Sequence, residues 1–187
     1  MYEVEMKLRA DHDRLRERLG ALNAGSAGRV RQVDTYYDHP TRSFADTDEA
    51  LRIRRETAES EDESEDDEAG DRTRVTYKGP LLEAESKTRA ELETGVADGE
   101  TLASILGKLG FEAAATVEKD RERFRYDGYT VTLDTVSGLG EFVEVETEAE
   151  TIEPAREGAV DVLEQLGLDP DTQIRRSYLG LLLDDAE

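Results

Sequence analysis

At 187 residues the chain has the size of one domain and enough length to bury a sizeable core. It carries 24 Lys and Arg against 46 Asp and Glu, a formal net charge of −22, which weighs against nonspecific nucleic-acid binding. Without cysteine, and with His12 and His39 as its two histidines, it excludes disulfides and thiolate metal sites and disfavours a histidine-based zinc site.

Residues 3–9 alternate, with Glu3, Glu5 and Lys7 on one side and Val4, Met6 and Leu8 on the other, which predicts a strand. A helix is expected over residues 12–22, capped by Asp11, with Leu15, Leu19 and Leu22 as its apolar stripe and Gly25 and Gly28 ending it. His12, at its start, is expected in solvent. A second strand covers 29–38 and stops before Pro40; a third covers 49–55. Residues 56–71 hold ten Asp or Glu and read as a mobile acidic loop. Strands four and five are expected at 72–79 and about 86–94, then a helix over 98–109 capped by Asp98 and stopped by Gly110. Strand six covers about 113–126, the Asp127-Gly128 turn leads to strand seven at 129–136, and strand eight covers 140–148. A third helix follows at about 154–166, and Arg175 to Leu183 form a short helical or irregular tail. Eight strands with short turns, no βαβ alternation and no Gly-rich phosphate loop point to an α+β chain. The architecture expected is a closed eight-stranded antiparallel β-barrel with helices packed outside, as one domain over residues 1–187.

The polar faces of these strands carry charges rather than Ser, Thr or Asn: Arg52 and Arg54; Arg74, Thr76 and Lys78; Lys87, Arg89, Glu91 and Glu93; Lys119, Arg121, Arg123 and Arg125; Asp134; Glu144, Glu146 and Glu148. A solvated outer face is the simplest explanation for any one strand. The helices, however, need the apolar side of the sheet, which turns the charged side inward if the sheet closes. Lys and Arg rows bind polyphosphate oxygens, and clustered carboxylates hold Mg²⁺ or Mn²⁺.

Glu3-Val4-Glu5-Met6-Lys7 is an ExExK motif. It is followed by Asp34-Thr35-Tyr36-Tyr37-Asp38, Leu51-Arg52-Ile53-Arg54, Thr76-Tyr77-Lys78-Gly79-Pro80, Lys87-Thr88-Arg89-Ala90-Glu91, Lys119-Asp120-Arg121, Leu133-Asp134 and Gly138 through Glu146. This ordered series resembles the CYTH, or triphosphate tunnel metalloenzyme, family, and most closely its class IV adenylyl cyclase branch. The resemblance implies that Lys7, Arg52, Arg54, Lys78, Arg89, Lys119 and Arg121 grip a triphosphate. It implies that Glu3, Glu5, Asp134, Glu144 and Glu146 serve Mg²⁺ or Mn²⁺, with Arg42 and Glu91 as further binding residues and a homodimer as the assembly. For Arg42 a place near the tunnel mouth and a surface place stand level; His39 is expected at the surface, and Tyr36, Tyr37 and Tyr178 in packing.

The implied reaction converts ATP to 3′,5′-cyclic AMP and pyrophosphate. The alternatives are hydrolysis of thiamine triphosphate or inorganic triphosphate in the same tunnel, or a binding module without turnover. No nucleic-acid or membrane partner is expected. The first residues resemble neither a signal nor a transit peptide, so the expected location is the cytoplasm. Arginine outnumbers lysine 19 to 5, and an acidic, lysine-poor chain suits a salt-rich cell interior, although an acidic protein of an ordinary cell has the same composition.

Overall fold

The computed structural model describes residues 2–59, 71–81 and 89–184. In chain order these form β1 (Tyr2–Arg9), α1 (His12–Ala21), β2 (Gly25–Asp38), α2 (Phe44–Thr47), β3 (Ala50–Glu59), β4 (Arg72–Leu81) and β5 (Arg89–Val96). Then follow α3 (Gly99–Lys108), β6 (Glu112–Tyr126), β7 (Tyr129–Val136), β8 (Gly140–Ala149), α4 (Ile152–Gln165), a 3₁₀ turn (Pro170–Thr172) and α5 (Tyr178–Asp184). The strands close into an antiparallel barrel in the order β1-β5-β4-β3-β2-β6-β7-β8. A closed sheet leaves no unpaired edge.

Strand alternation sets the inside and the outside at once. Met6 and Leu8 face out from β1 and join Val131, Leu133, Val143 and Val145, and Val4, in the same strand phase, is fully buried as well. Leu15 and Leu19 of α1 and Ala159, Val162 and Leu163 of α4 cover them. Each fully buried Leu or Val contributes about 1.5–3 kcal/mol, so this outer layer is the main apolar core. A smaller one forms where Leu106 of α3 meets Tyr37 and Ile53 on β2 and β3. With the apolar faces spent on helices, the opposite faces line the lumen. Glu5 sits opposite Glu146, Lys7 opposite Glu144, Asp34 opposite Arg54 and Arg121 opposite Asp134.

One apolar group lies inside. Phe142 is opposite Asp134, Val136 opposite Lys119 and Val117 opposite Asp34, so all three face inward. They pack with Leu139 and with Tyr178 of α5, filling one end of the lumen.

Local chemistry accounts for most boundaries. Asp11 accepts from the N–H of Arg14 at 3.0 Å and Asp98 from that of Thr101 at 2.9 Å, both as N-caps. The β6–β7 hairpin turns on Asp127 and Gly128, at φ 49° and 80°, the left-handed pair that a two-residue hairpin requires. Gly158 of α4 admits the Tyr129 ring, whose hydroxyl donates to the carbonyl of Ala155 at 2.9 Å.

Several expectations are corrected. The first helix ends at Ala21, because Asn23 takes the left-handed conformation at φ 54° that stops it. Gly25 and Gly28 instead open β2, where the register against β6 shifts between Ser26 and Arg29. His12 is buried rather than solvated: its Nε2 lies 2.9 Å from the carbonyl oxygen of Phe142, and its backbone N–H donates to Glu141. Residues 56–59 belong to β3, and Glu56 pairs with Arg123 at 2.7 Å. The rest of the acidic stretch, 60–70, lies outside the described residues, as do Lys87 and the expected start of strand five. The short helix α2 had no counterpart in the periodicity. Among the described residues no helix is long and apolar enough to cross a membrane.

Candidate active site

The barrel encloses a cavity of about 1630 Å³ lined by every lumen strand. Its wall divides by sign. Glu3 and Glu5 on β1 and Glu144, Glu146 and Glu148 on β8 form an acidic sector. Oxygen atoms of Glu3, Glu5 and Glu146 all lie within 4.8 Å of one another. Three carboxylates and no nitrogen or sulfur donor make a hard oxygen set, which fits Mg²⁺ or Mn²⁺. Burial pushes the Glu146 carboxyl up to about 7; Arg121 opposes this, and the neighbouring charges of Glu144, Glu3 and Glu5 add to it. Burial also raises Glu3, against the pull of Lys78. Carboxylates crowded in this way repel one another, and a dication relieves the repulsion.

The facing sector is basic. Arg54 donates twice to Asp34, both bonds 2.7 Å, and Arg52 Nη1 lies 3.5 Å from the same carboxylate. Burial works against the Asp34 charge, but Arg54 and Arg52 hold its carboxyl well below the usual range. Arg52 Nε is buried without a hydrogen-bond partner, a donor available to a ligand.

Asp134 is fully buried and accepts four bonds: one from Lys119 at 3.1 Å, two from Arg121 at 2.6 Å and one from the Tyr178 hydroxyl at 3.0 Å. Arg121 also donates to Glu144. Burial and the Arg121 charge lower the Lys119 ammonium. Burial raises the Tyr178 phenol well above its ordinary value, so it remains a donor.

Lys7 is 1% exposed, yet among the described residues its ammonium meets no carboxylate at ion-pair distance. The Tyr178 ring lies against it, its centroid 4.2 Å from Nζ. A buried ammonium with no counter-ion is costly, and an incoming anion removes that cost.

The residues singled out from sequence are thus distributed unevenly. Lys7, Arg52, Arg54, Lys78, Lys119, Arg121, Glu3, Glu5, Glu91, Glu144 and Glu146 all line the cavity. Lys78 bridges Glu3 at 2.9 Å and Glu91 at 2.7 Å, linking the two sectors. Arg89 lies at the cavity wall but donates to the carbonyl of Asp48 at 2.7 Å and to its carboxylate at 3.0 Å, tying down the loop after α2. Asp134 sits behind the wall as a hub for cations rather than beside the Glu3, Glu5 and Glu146 cluster.

Arg42 is outside the cavity lining, half exposed, 3.2 Å from Glu49 and over the Phe44 ring. His39 packs its ring against Phe44 and Phe111. Tyr37 packs with Ile53 and Leu106, and both it and Tyr36 border the cavity. Sequence reading gave no role to Asp34 or Glu56. Their inward phase on alternating strands was the available signal; their arginine partners, Arg54 and Arg123, lie 20 and 67 residues away along the chain.

Comparison with known proteins gives a consistent frame. The CYTH domain matches residues 1–178. A candidate adenylate cyclase of Methanocaldococcus jannaschii, MJ0240, is 36% identical over 185 residues, covering 97% of this chain and 98% of that protein. Adenylate cyclase CyaB of Aeromonas hydrophila is 30% identical over 185 residues, covering 96% and 88%. The solved structure of PH1819 from Pyrococcus horikoshii superposes with a TM-score of 0.87 at 37% identity, covering 98% of this chain and 99% of that one.

Proposed function

This chain belongs to the CYTH domain family, and from that premise we propose that it is a metal-dependent adenylyl cyclase, converting ATP to 3′,5′-cyclic AMP and pyrophosphate. The observation that carries the reading is the two-signed lumen. A three-carboxylate cluster and a row of buried cations face one cavity, a pairing of signs that suits a metal bound together with a polyphosphate.

In this reading Glu3, Glu5 and Glu146 hold Mg²⁺ or Mn²⁺, with Glu144 beside them. When bound, the ion offsets charge on the phosphate oxygens. Lys7, Arg52, Arg54, Lys119 and Arg121 hold the triphosphate, the arginines by paired donors. Fixing the chain of phosphates extended along the wall lets the ribose 3′-hydroxyl attack the α-phosphorus in line. The new bond joins the 3′-oxygen to that phosphorus as the hydroxyl proton passes to solvent water, the bond from that phosphorus to the α–β bridging oxygen breaks, and the cation row stabilises departing pyrophosphate. The two bonds from Arg54 to Asp34 and the four bonds at Asp134 hold these cations in place before substrate arrives.

Hydrolysis of thiamine triphosphate or tripolyphosphate is the second reading. It is favoured by the fact that the charged wall reads phosphate and leaves the organic group unspecified. The resemblance extends the first reading to a cytoplasmic homodimer, which light scattering checks. Incubation with ATP and Mn²⁺ or Mg²⁺ at high salt, followed by product separation, tests the reaction. Cyclic AMP with pyrophosphate is expected; ADP or free phosphate without cyclic nucleotide overturns cyclisation, and faster turnover of thiamine triphosphate or tripolyphosphate supports hydrolysis.

A further inference from the structure

The C-terminal segment reaches the site from outside the series of charged strands, and it makes three separate contacts there. The backbone N–H of Ile174 donates to the carbonyl of Lys7 at 2.7 Å. The Tyr178 ring lies 4.2 Å from Lys7 Nζ and 5.0 Å from Lys119 Nζ. The Tyr178 hydroxyl donates at 3.0 Å to Asp134, the carboxylate that also holds Lys119 and Arg121. Phe142 fixes the ring from another side, edge to face with centroids 5.0 Å apart.

We propose that Tyr178 is a positioning residue of the lumen, holding the Lys7 and Lys119 ammonium groups against its ring while its hydroxyl anchors Asp134. An aromatic face attracts a cation through its quadrupole without neutralising it. A carboxylate in the same place would compete with phosphate for the ammonium; the ring leaves the whole charge available to an anion. Lysine has a long flexible stem, and a fixed ring on one side limits where its charge can go. Docking of the segment therefore completes the cation wall, with Ile174 setting the Lys7 backbone and Tyr178 its side chain. The kinetic consequence rests on the reading of the lumen as a triphosphate site; the structural consequence does not.

Nuclear magnetic resonance of protein labelled with ¹³C-lysine tests the structural part directly. The chain has five lysines, so the CεH₂ signals are few, and Lys7→Arg and Lys119→Arg assign two of them. Protons above a ring face are shifted upfield. Both signals are expected upfield in the wild type, upfield in Tyr178→Phe and unshifted in Tyr178→Leu. Unshifted Lys7 and Lys119 signals in the wild type overturn the proposal, and this arm needs no variant at position 178 to fold.

In kinetics, Tyr178→Leu should raise the KM for the triphosphate about tenfold and lower kcat, with Tyr178→Phe restoring KM to within about threefold. A folded Tyr178→Leu protein with wild-type KM also overturns it. If the wild type neither binds nor turns over a triphosphate, the functional reading fails, while the lysine signals still decide the positioning role.

Discussion

Glu146 and Lys7 carry opposite charges on the β8 and β1 walls of one cavity, so their removal should have different signatures. Lys7→Ala takes away a buried cation with no carboxylate partner among the described residues, so triphosphate affinity and turnover should both fall while the melting temperature changes little. Glu146→Ala should raise the metal concentration needed for activity, with Mn²⁺ restoring part of the loss. Asp134→Ala contrasts with both. It strands Lys119 and leaves Arg121 with Glu144, and breaking one side of a buried ion-pair network costs about 3–5 kcal/mol, to be read from urea unfolding. Near-wild-type kinetics in both Lys7→Ala and Glu146→Ala would contradict the assigned roles.

The pH dependence follows from Glu146. Its carboxyl is raised to about 7 from an ordinary 4.5, so the folded, metal-free state holds this proton more tightly than the unfolded chain. Folding is therefore penalised progressively as pH rises from 4.5 toward 7, and the penalty is absent below 4.5. A metal must displace the proton. Metal affinity should fall about tenfold per pH unit below pH 7 for each proton displaced, with proton release measurable by calorimetry in buffers of different ionisation enthalpy. In Glu146→Gln this release should shrink, leaving the smaller share that the raised Glu3 carboxyl contributes.

At the scale of elements, close packing of α4 on the barrel makes one sharp demand. A Cβ at Gly158 would lie 2.1 Å from the Tyr129 hydroxyl oxygen. Alanine gains up to about 1 kcal/mol of helix propensity over glycine, but overpacking costs about 1–3 kcal/mol, so Gly158→Ala should lower stability in urea unfolding. Adding Tyr129→Phe, which removes the clashing oxygen, should recover part of the loss.

Elements were largely legible because strand phase is a local property. Val4, Met6 and Leu8 against Glu3, Glu5 and Lys7 show two faces before any partner is known, and the need of helices for an apolar surface turns the charges inward. Partners were not legible. His12 looks solvated beside Asp11 and Asp13, and becomes buried because β8 brings the Phe142 carbonyl, 130 residues distant, against it. Arg42 follows the same logic in reverse, since Glu49 and Phe44 hold it outside the cavity. The motif resemblance picked out residues that line the cavity, but not that Asp134 would be saturated by four donors.

For the whole molecule, a formal charge of −22 on 187 residues opposes compaction. Salt shortens the screening length from about 10 Å at 0.1 M to about 3 Å at 1 M, which relieves repulsion between surface carboxylates. The melting temperature should therefore rise with KCl, while triphosphate affinity falls because the same ions screen the lumen cations. A melting temperature that falls with KCl would contradict the view of the surface as salt-adapted.

The central claim is that one lumen holds metal and triphosphate together, and a crystal structure with Mn²⁺ and a non-hydrolysable ATP analogue tests it most directly. The expected result is an anomalous Mn²⁺ peak among Glu3, Glu5 and Glu146, with the phosphates against Lys7, Arg52, Arg54, Lys119 and Arg121. A triphosphate bound on the outer face, or bound in the lumen with no Mn²⁺ peak at those three carboxylates, would contradict the account.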